Sequence, residues 1–234
     1  SAENLEYFQS LKKFVGTVFR LIPQRASRFE SDALLVDKLS KRIERSENDI
    51  VLIRIGRISS DYELTIRQSV ELHHLFSQHL KDRQVKLIIL GAVYDKSLLE
   101  DLEKECAVYS HIYFVTDHEY VKEAKKVIDI ADIVIGTGRG FMEGASQSKI
   151  MFVPLNGSKL PALVTKQNIK AAFRFNFSER VALSDDLLIP ILPEQVVDQR
   201  KRLEQESAEI FEECFNIETA ALLYLKAYNE VLKL

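Results

Sequence analysis

Cysteine is nearly absent from this sequence. Cys106 and Cys214 are the only two in 234 residues, and their spacing matches neither a metal site nor a redox pair. A disulfide framework is therefore not expected, and two unpaired thiols suit a reducing compartment. An excess of one charge is missing too. Lys and Arg total 32 against 35 Asp and Glu, interspersed along the chain, for a net charge of −3. No global basic field exists to draw nucleic acid. No apolar run approaches the ~20 residues a membrane helix needs. No secretory leader, internal repeat or convincing nucleophile–base pair can be read. What remains is ordinary globular composition, 46% hydrophobic and 29% charged. That suits one large domain, or one domain with helical extensions.

The first ten residues, SAENLEYFQS, resemble a protease recognition sequence, ENLYFQS, with an extra Glu inserted. They also place Leu5, Phe8 and Leu11 near one helical face and are read as native helix. Residues 14–22, FVGTVFRLI, read as a strand before a turn at Pro23. SDALLVDKLSKRI has Leu34, Leu35, Leu39 and Ile43 at helical spacing.

From Asp49 the rhythm is regular. The runs DIVLIRIG, VKLIILG, HIYFVT, DIVIG and IMFVPL read as strands. TIRQSVELHHLFSQHLKD, KSLLEDLEKECAVY, EYVKEAKKVIDIA and GFMEGASQSK read as the helices between them. This alternation predicts βαβ units with right-handed crossovers and a parallel sheet. Ligands of such sheets bind beyond the carboxyl ends of the strands. After Pro161 the pattern weakens. PEQVVDQRKRLEQESAEIFEECF predicts one long helix and IETAALLYLKAYNEVLKL another, whose apolar residues should pack on something.

Two strand ends carry residues suited to an anion. Gly136, Gly138 and Gly140 join a strand to a helix, where glycine admits a ligand close to the backbone and the helix start offers unpaired N–H groups. Arg139 adds a cation, and Glu143, one turn on, can accept two sugar hydroxyls as in ribose recognition. The alternative is a tight turn whose glycines serve packing alone, since Gly-x-Gly-x-Gly is a weak motif. At the other strand end, IGRISSDYEL, Gly56 is followed by Arg57, whose planar fork suits phosphate. The alternative there is a solvated loop arginine. His73 and His74 are consecutive, read as surface or partly buried, and not as metal ligands. Ser178, Glu179 and Arg180 show no evident partner.

This order of elements resembles the C-terminal half of GT-B nucleotide-sugar glycosyltransferases, particularly the retaining, glycogen-synthase-like group. IGRISSDYEL looks like that family's G-R-x-x-x-x-K-G segment. VKLIILGAVYDKSLLEDL looks like its next strand and helix, and residues 111–155 look like its last strands and donor-binding helix. The resemblance covers residues 49–157. It implies a Rossmann-like parallel sheet with helices on both faces, plus C-terminal helices. It divides the chain into the end of an N-terminal domain or linker (1–48), a donor-binding domain (49–190) and a helical extension (191–234).

By the same resemblance, Arg57 and Glu143 are the expected catalytic residues, Arg57 on the donor diphosphate and Glu143 on the ribose. Gly56, Gly136, Thr137, Gly138, Arg139 and Gly140 would approach the sugar and phosphates, and Val115 and Thr116 would lie by the base. The sequence departs from the family pattern at three places. The family's lysine and glycine fall near Tyr62 and Glu63, its first paired acid falls near Ile135, and its acidic loop is replaced by the shorter GTGRG. Arg139 could stand in for the lysine's charge. The donor implied is a UDP- or GDP-sugar, with no cofactor and no metal. The acceptor implied is a saccharide or lipid-linked molecule, and the further partner a missing N-terminal domain. A cytoplasmic place follows, with a peripheral membrane position if the acceptor is lipid-linked. Two other classes stay open. One is a non-catalytic interaction module, and the other is an NAD-dependent oxidoreductase, against which the glycine loop lies on the fourth strand.

Overall fold

A computed structural model describes residues 2–232 apart from 16, 18, 20 and 23, and apart from the side chains of Phe14 and Val231. Two helices come first, α1 (Ala2–Ser10) and α2 (Ala33–Arg42). Strands and helices then alternate: β1 (Ile50–Ile55), α3 (Glu63–His79), β2 (Val85–Leu90), α4 (Lys96–Cys106), β3 (Ile112–Val115) and α5 (His118–Lys122). They continue as β4 (Ile133–Ile135), α6 (Gly138–Ser146), β5 (Ile150–Val153) and β6 (Ala162–Leu163). The chain then runs through α7 (Ile169–Arg174), α8 (Pro193–Asp198), α9 (Arg200–Ile210) and α10 (Ile217–Val231).

The sheet order is β3-β2-β1-β4-β5-β6. The first five strands are parallel and β6 is antiparallel to β5. Strand residues alternate between two cores. Val51, Ile53, Ile88, Leu90, Val134, Met151 and Val153 pack with α2, α6 and the chain around Phe211–Phe215. Leu52, Leu87, Ile89, Ile133, Ile135, Ile150 and Phe152 pack with α3, α4, α8 and α9. Both faces are covered, which is why these strands read as continuous apolar runs. Helix starts carry the residues that favour them. The Asp32 carboxylate accepts from the Leu34 and Leu35 amides at 3.1 Å, Asp95 caps α4, Asn216 caps α10, and Pro193 opens α8.

Three expectations need correction, and one strand was not expected. Of the strand expected over 14–22, residues 16, 18 and 20 lie outside the described residues; the described ones form no strand, and Phe14 ends a 3₁₀ turn, Lys12–Phe14. The helix expected over 119–131 is the short α5 followed by a 3₁₀ stretch, Ala124–Ile130. The long helix expected after Pro193 breaks at Gln199 and ends in a π-helical turn, Phe211–Phe215. β6 was not anticipated, because two residues carry no readable alternation.

Candidate functional site

The strand order places the first and fourth strands side by side, with Leu52 opposite Ile133 and Arg54 opposite Ile135. After β1 the chain turns towards β2 and β3, and after β4 towards β5. Their carboxyl ends therefore open a crevice where the order reverses, the general ligand position in such sheets. The two candidate loops, Gly56–Arg57 and Gly136–Glu143, leave from those two adjacent ends.

The β4 loop is built for close approach. A Cβ on Gly136 would lie 2.7 Å from the Phe141 amide nitrogen, so the turn into α6 requires glycine. Gly138 has φ +49, in the left-handed region glycine adopts without cost. Gly144 lets α6 settle on the sheet, since a Cβ there would stand 2.8 Å from Met151 Cε. Thr137 precedes the helix without capping it by its side chain. The Gly138 amide is taken by the Asn176 carbonyl at 3.1 Å. The amides of Arg139 and Gly140 are first-turn donors, and among the described residues no side chain caps them. Arg139 and Glu143 are not independent ligands. Arg139 Nε donates to Glu143 Oε1 at 3.1 Å, an i,i+4 pair in which the Arg139 side chain is 61% exposed and Glu143 14%. Such a half-solvated pair is worth at most ~1 kcal/mol, so an incoming anion and a hydroxyl pair can replace it.

The β1 loop is zipped to the end of β2. Ile58 bridges Val93, Ile58 N–H donates to Ala92, and Tyr94 N–H donates back to Ile58, both at 2.9 Å. Arg57 is exposed and lies over the Tyr94 ring, 5.4 Å from its centroid. No carboxylate pairs with it among the described residues. Val115 and Thr116 end β3, two strands from β1 or about 10 Å at ordinary strand spacing. Val115 is buried and gives its carbonyl to Gly91, while Thr116 is exposed. Gly56 and Arg57 thus follow β1, and Gly136, Thr137, Gly138, Arg139, Gly140 and Glu143 follow the adjacent β4, while Val115 and Thr116 lie at the end of β3, two strands from β1.

Two further residues lie by the β1 loop, Arg54, which the sequence reading did not single out, and Glu179, which it left without a partner. Arg54 is 1% exposed. Its Nη1 donates to the Gly56 carbonyl at 2.6 Å and the Arg57 carbonyl at 2.8 Å. Burial pulls its pKa down to about 10, partly offset by the Glu179 carboxylate and Tyr62, so it stays a cation at neutral pH. Glu179, expected to lack a partner, accepts from the Thr65 amide at 2.6 Å and from the Thr65 hydroxyl, and so caps the start of α3. The signal for Arg54 was one cation inside IVLIRI. Glu179 lies 114 residues from Thr65 and left no local signal.

His73 is also corrected, from surface or partly buried to buried at 3% exposure. A cavity of about 570 Å³ opens between α1 and α7, lined by Glu6, Gln24, Lys170, Arg174 and Asn176 among others. Among the described residues no three His, Cys, Asp or Glu side chains gather as metal ligands. Nor is any helix long and apolar enough to cross a membrane.

No protein-family description and no curated protein sequence matches this chain. Solved structures do. A glycosyltransferase from Rickettsia africae superposes with a TM-score of 0.60 at 13% identity, over 92% of this chain and 57% of that one. HepE of Anabaena, solved with UDP and glucose, gives 0.53 at 12% identity over 86% and 54%. The pneumococcal O-GlcNAc transferase GtfA, solved with UDP and GlcNAc, gives 0.50 at 13% identity over 99% and 44%. The fold is that of a Rossmann-like domain of the GT-B glycosyltransferase type. The chain spans about half the length of the solved structures it matches.

Proposed function

We propose that this chain is the nucleotide-sugar donor domain of a retaining, glycogen-synthase-like GT-B glycosyltransferase. The observation that carries the reading is the switch-point crevice. The two loops leave adjacent strand ends, one carrying Arg57 and the other the first-turn amides of α6, Arg139 and Glu143. That set matches the chemistry of a nucleoside diphosphate, with charge for the phosphates and an acid for ribose hydroxyls. Solved neighbours that hold UDP share the fold.

In the whole enzyme the bond between the sugar's anomeric carbon and the donor phosphate oxygen breaks. Its electron pair stays on that oxygen, and an acceptor hydroxyl forms the new glycosidic bond as its proton passes to the leaving phosphate. Arg57, Arg139 and the α6 amides would stabilise the charge that gathers on the leaving diphosphate. Glu143 would hold the ribose once it releases Arg139. The acceptor, a saccharide or a lipid-linked molecule of cell-surface polysaccharide synthesis, would bind on a missing N-terminal domain. The chain by itself would then show no transferase turnover. Its place would be cytoplasmic, at the membrane surface if the acceptor is lipid-linked.

A second reading, a non-catalytic assembly module, is favoured by one observation. Tyr62 stands where the family pattern has its diphosphate lysine, and the Arg139–Glu143 pair closes the site on itself. Calorimetric titration separates the two. Saturable binding of UDP or GDP, lost in Arg57→Ala and Glu143→Ala, supports the donor domain. Absence of nucleotide binding favours the module, and preference for NAD would instead favour an oxidoreductase.

A further inference from the structure

The segment after α7 makes contacts that a connecting loop does not need. Asn176 and Phe177 are consecutive residues in the left-handed region, at φ +52 and +56. For non-glycine residues this conformation is costly and persists only where the surroundings fix it. The surroundings here are on both sides of the crevice. Towards the β4 loop, the Asn176 carbonyl accepts the Gly138 amide at 3.1 Å. The Phe177 ring stacks on Phe141 of α6, with centroids 4.0 Å apart and planes 7° from parallel. Towards the β1 loop, the Glu179 carboxylate takes the Thr65 amide and hydroxyl at the start of α3. It is also the leading electrostatic support of the buried Arg54.

The geometry points to Asn176–Glu179 as a strap that sets the separation of the two strand-end loops, with Glu179 as its positioning residue. Arg54 is buried without a carboxylate in ion-pair contact among the described residues, and its Nε has no hydrogen-bond partner there. It holds the Gly56 and Arg57 carbonyls and lies over the Tyr62 ring, 5.8 Å from its centroid. Glu179 holds the start of α3, the element that follows the β1 loop, and Arg54 holds the backbone of Gly56 and Arg57 within that loop. At its other end the same four-residue segment pins Gly138, in the left-handed turn that presents the α6 amides. Arg57 and the glycine loop would need a fixed spacing to grip two ends of one diphosphate, which no longer tolerates error of about 1 Å. That consequence rests on the donor-domain reading. The strap does not.

The test uses Glu179→Gln, which keeps an acceptor oxygen for Thr65 but removes the charge, and Thr65→Val, which removes the hydroxyl bond without changing charge. Backbone amide exchange is followed over 56–62 and 136–140, beside the melting temperature and UDP affinity. The strap predicts that Glu179→Gln melts near the parent temperature, yet exchanges about tenfold faster in both loops, Gly138 included. Thr65→Val is predicted to do the same more weakly. Faster exchange confined to the first turn of α3 would reduce Glu179 to a local helix cap and overturn the inference. So would unchanged exchange in either loop. If the parent binds UDP, Glu179→Gln is expected to weaken it about tenfold. Unchanged exchange in the loops of Glu179→Gln, with UDP still bound by the parent, would overturn the strap while the donor-domain reading stands. Faster exchange in both loops, with no UDP binding by the parent, would do the reverse.

Discussion

His73 shows how one side chain can set a pH limit. Its Nε2 lies 3.0 Å from the Val85 carbonyl. A carbonyl only accepts, so Nε2 carries the proton. Nδ1 is buried and has no partner among the described residues. Protonating it would place a charge where nothing receives it. Burial therefore pulls the pKa from 6.5 down to about 4, and neighbouring His111 and His74 push the same way. The folded pKa lies below the unfolded one, so between them the unfolded chain binds more protons. Stability is full above about pH 6.5 and is lost progressively as pH falls towards 4, by up to about 3 kcal/mol. Urea unfolding at pH 7 and pH 4.5 checks this. The parent should lose markedly more stability than His73→Gln, whose amide can still donate to Val85. Parallel losses would mean that carboxylates, not His73, set the limit. Two adjacent histidines do not announce in sequence which one faces the sheet, which is why His73 was misplaced. Arg139 and Glu143 differ, because their spacing of four on a helix was enough to suggest the observed pair. Each had been assigned a ligand instead.

At the scale of elements, the seam between the β1 and β2 ends is the tightest backbone approach near the crevice. A Cβ on Gly91 would lie 1.8 Å from the Gly56 carbonyl oxygen and 2.7 Å from its carbon. Backbone cannot step aside as a flexible side chain does. Gly91→Ala should cost on the order of 3 kcal/mol, and its damage should appear at the Gly56 loop. Denaturant unfolding measures the first, and a loss of protection of the Ile58 and Tyr94 amides marks the second. The strands themselves were legible, since each doubly covered strand is an apolar run and three end in glycine. Their order could not be read from the chain alone. It follows from right-handed crossovers and from which faces the helices fill. The break at Gln199 and the two-residue β6 are tertiary outcomes with no local pattern. Arg54 hid inside an apolar strand, and the cap from Glu179 spans too much sequence to be seen.

For the whole molecule, the division of labour is along the sheet axis. At the amino end of the strands, Lys86 is fully buried against Asp49 at 3.2 Å and donates to the Ile43 and Glu44 carbonyls, tying β2 to the end of α2. Asp132 accepts from the Val51 amide and pairs with Arg200 at 2.7 Å. At the carboxyl end, charges and amides are left accessible or weakly paired around the crevice. On α10, Leu222, Leu225 and Tyr228 are more than half exposed, an apolar face in a chain about half as long as its structural neighbours. The central claim concerns the crevice, and mapping UDP and GDP onto the isotope-labelled chain by amide chemical shifts tests it most directly. The account predicts saturable shifts concentrated at Gly56–Ile58 and Gly136–Glu143, with Lys86 and Asp132 unmoved. Shifts centred elsewhere, or none with either nucleotide, would contradict it.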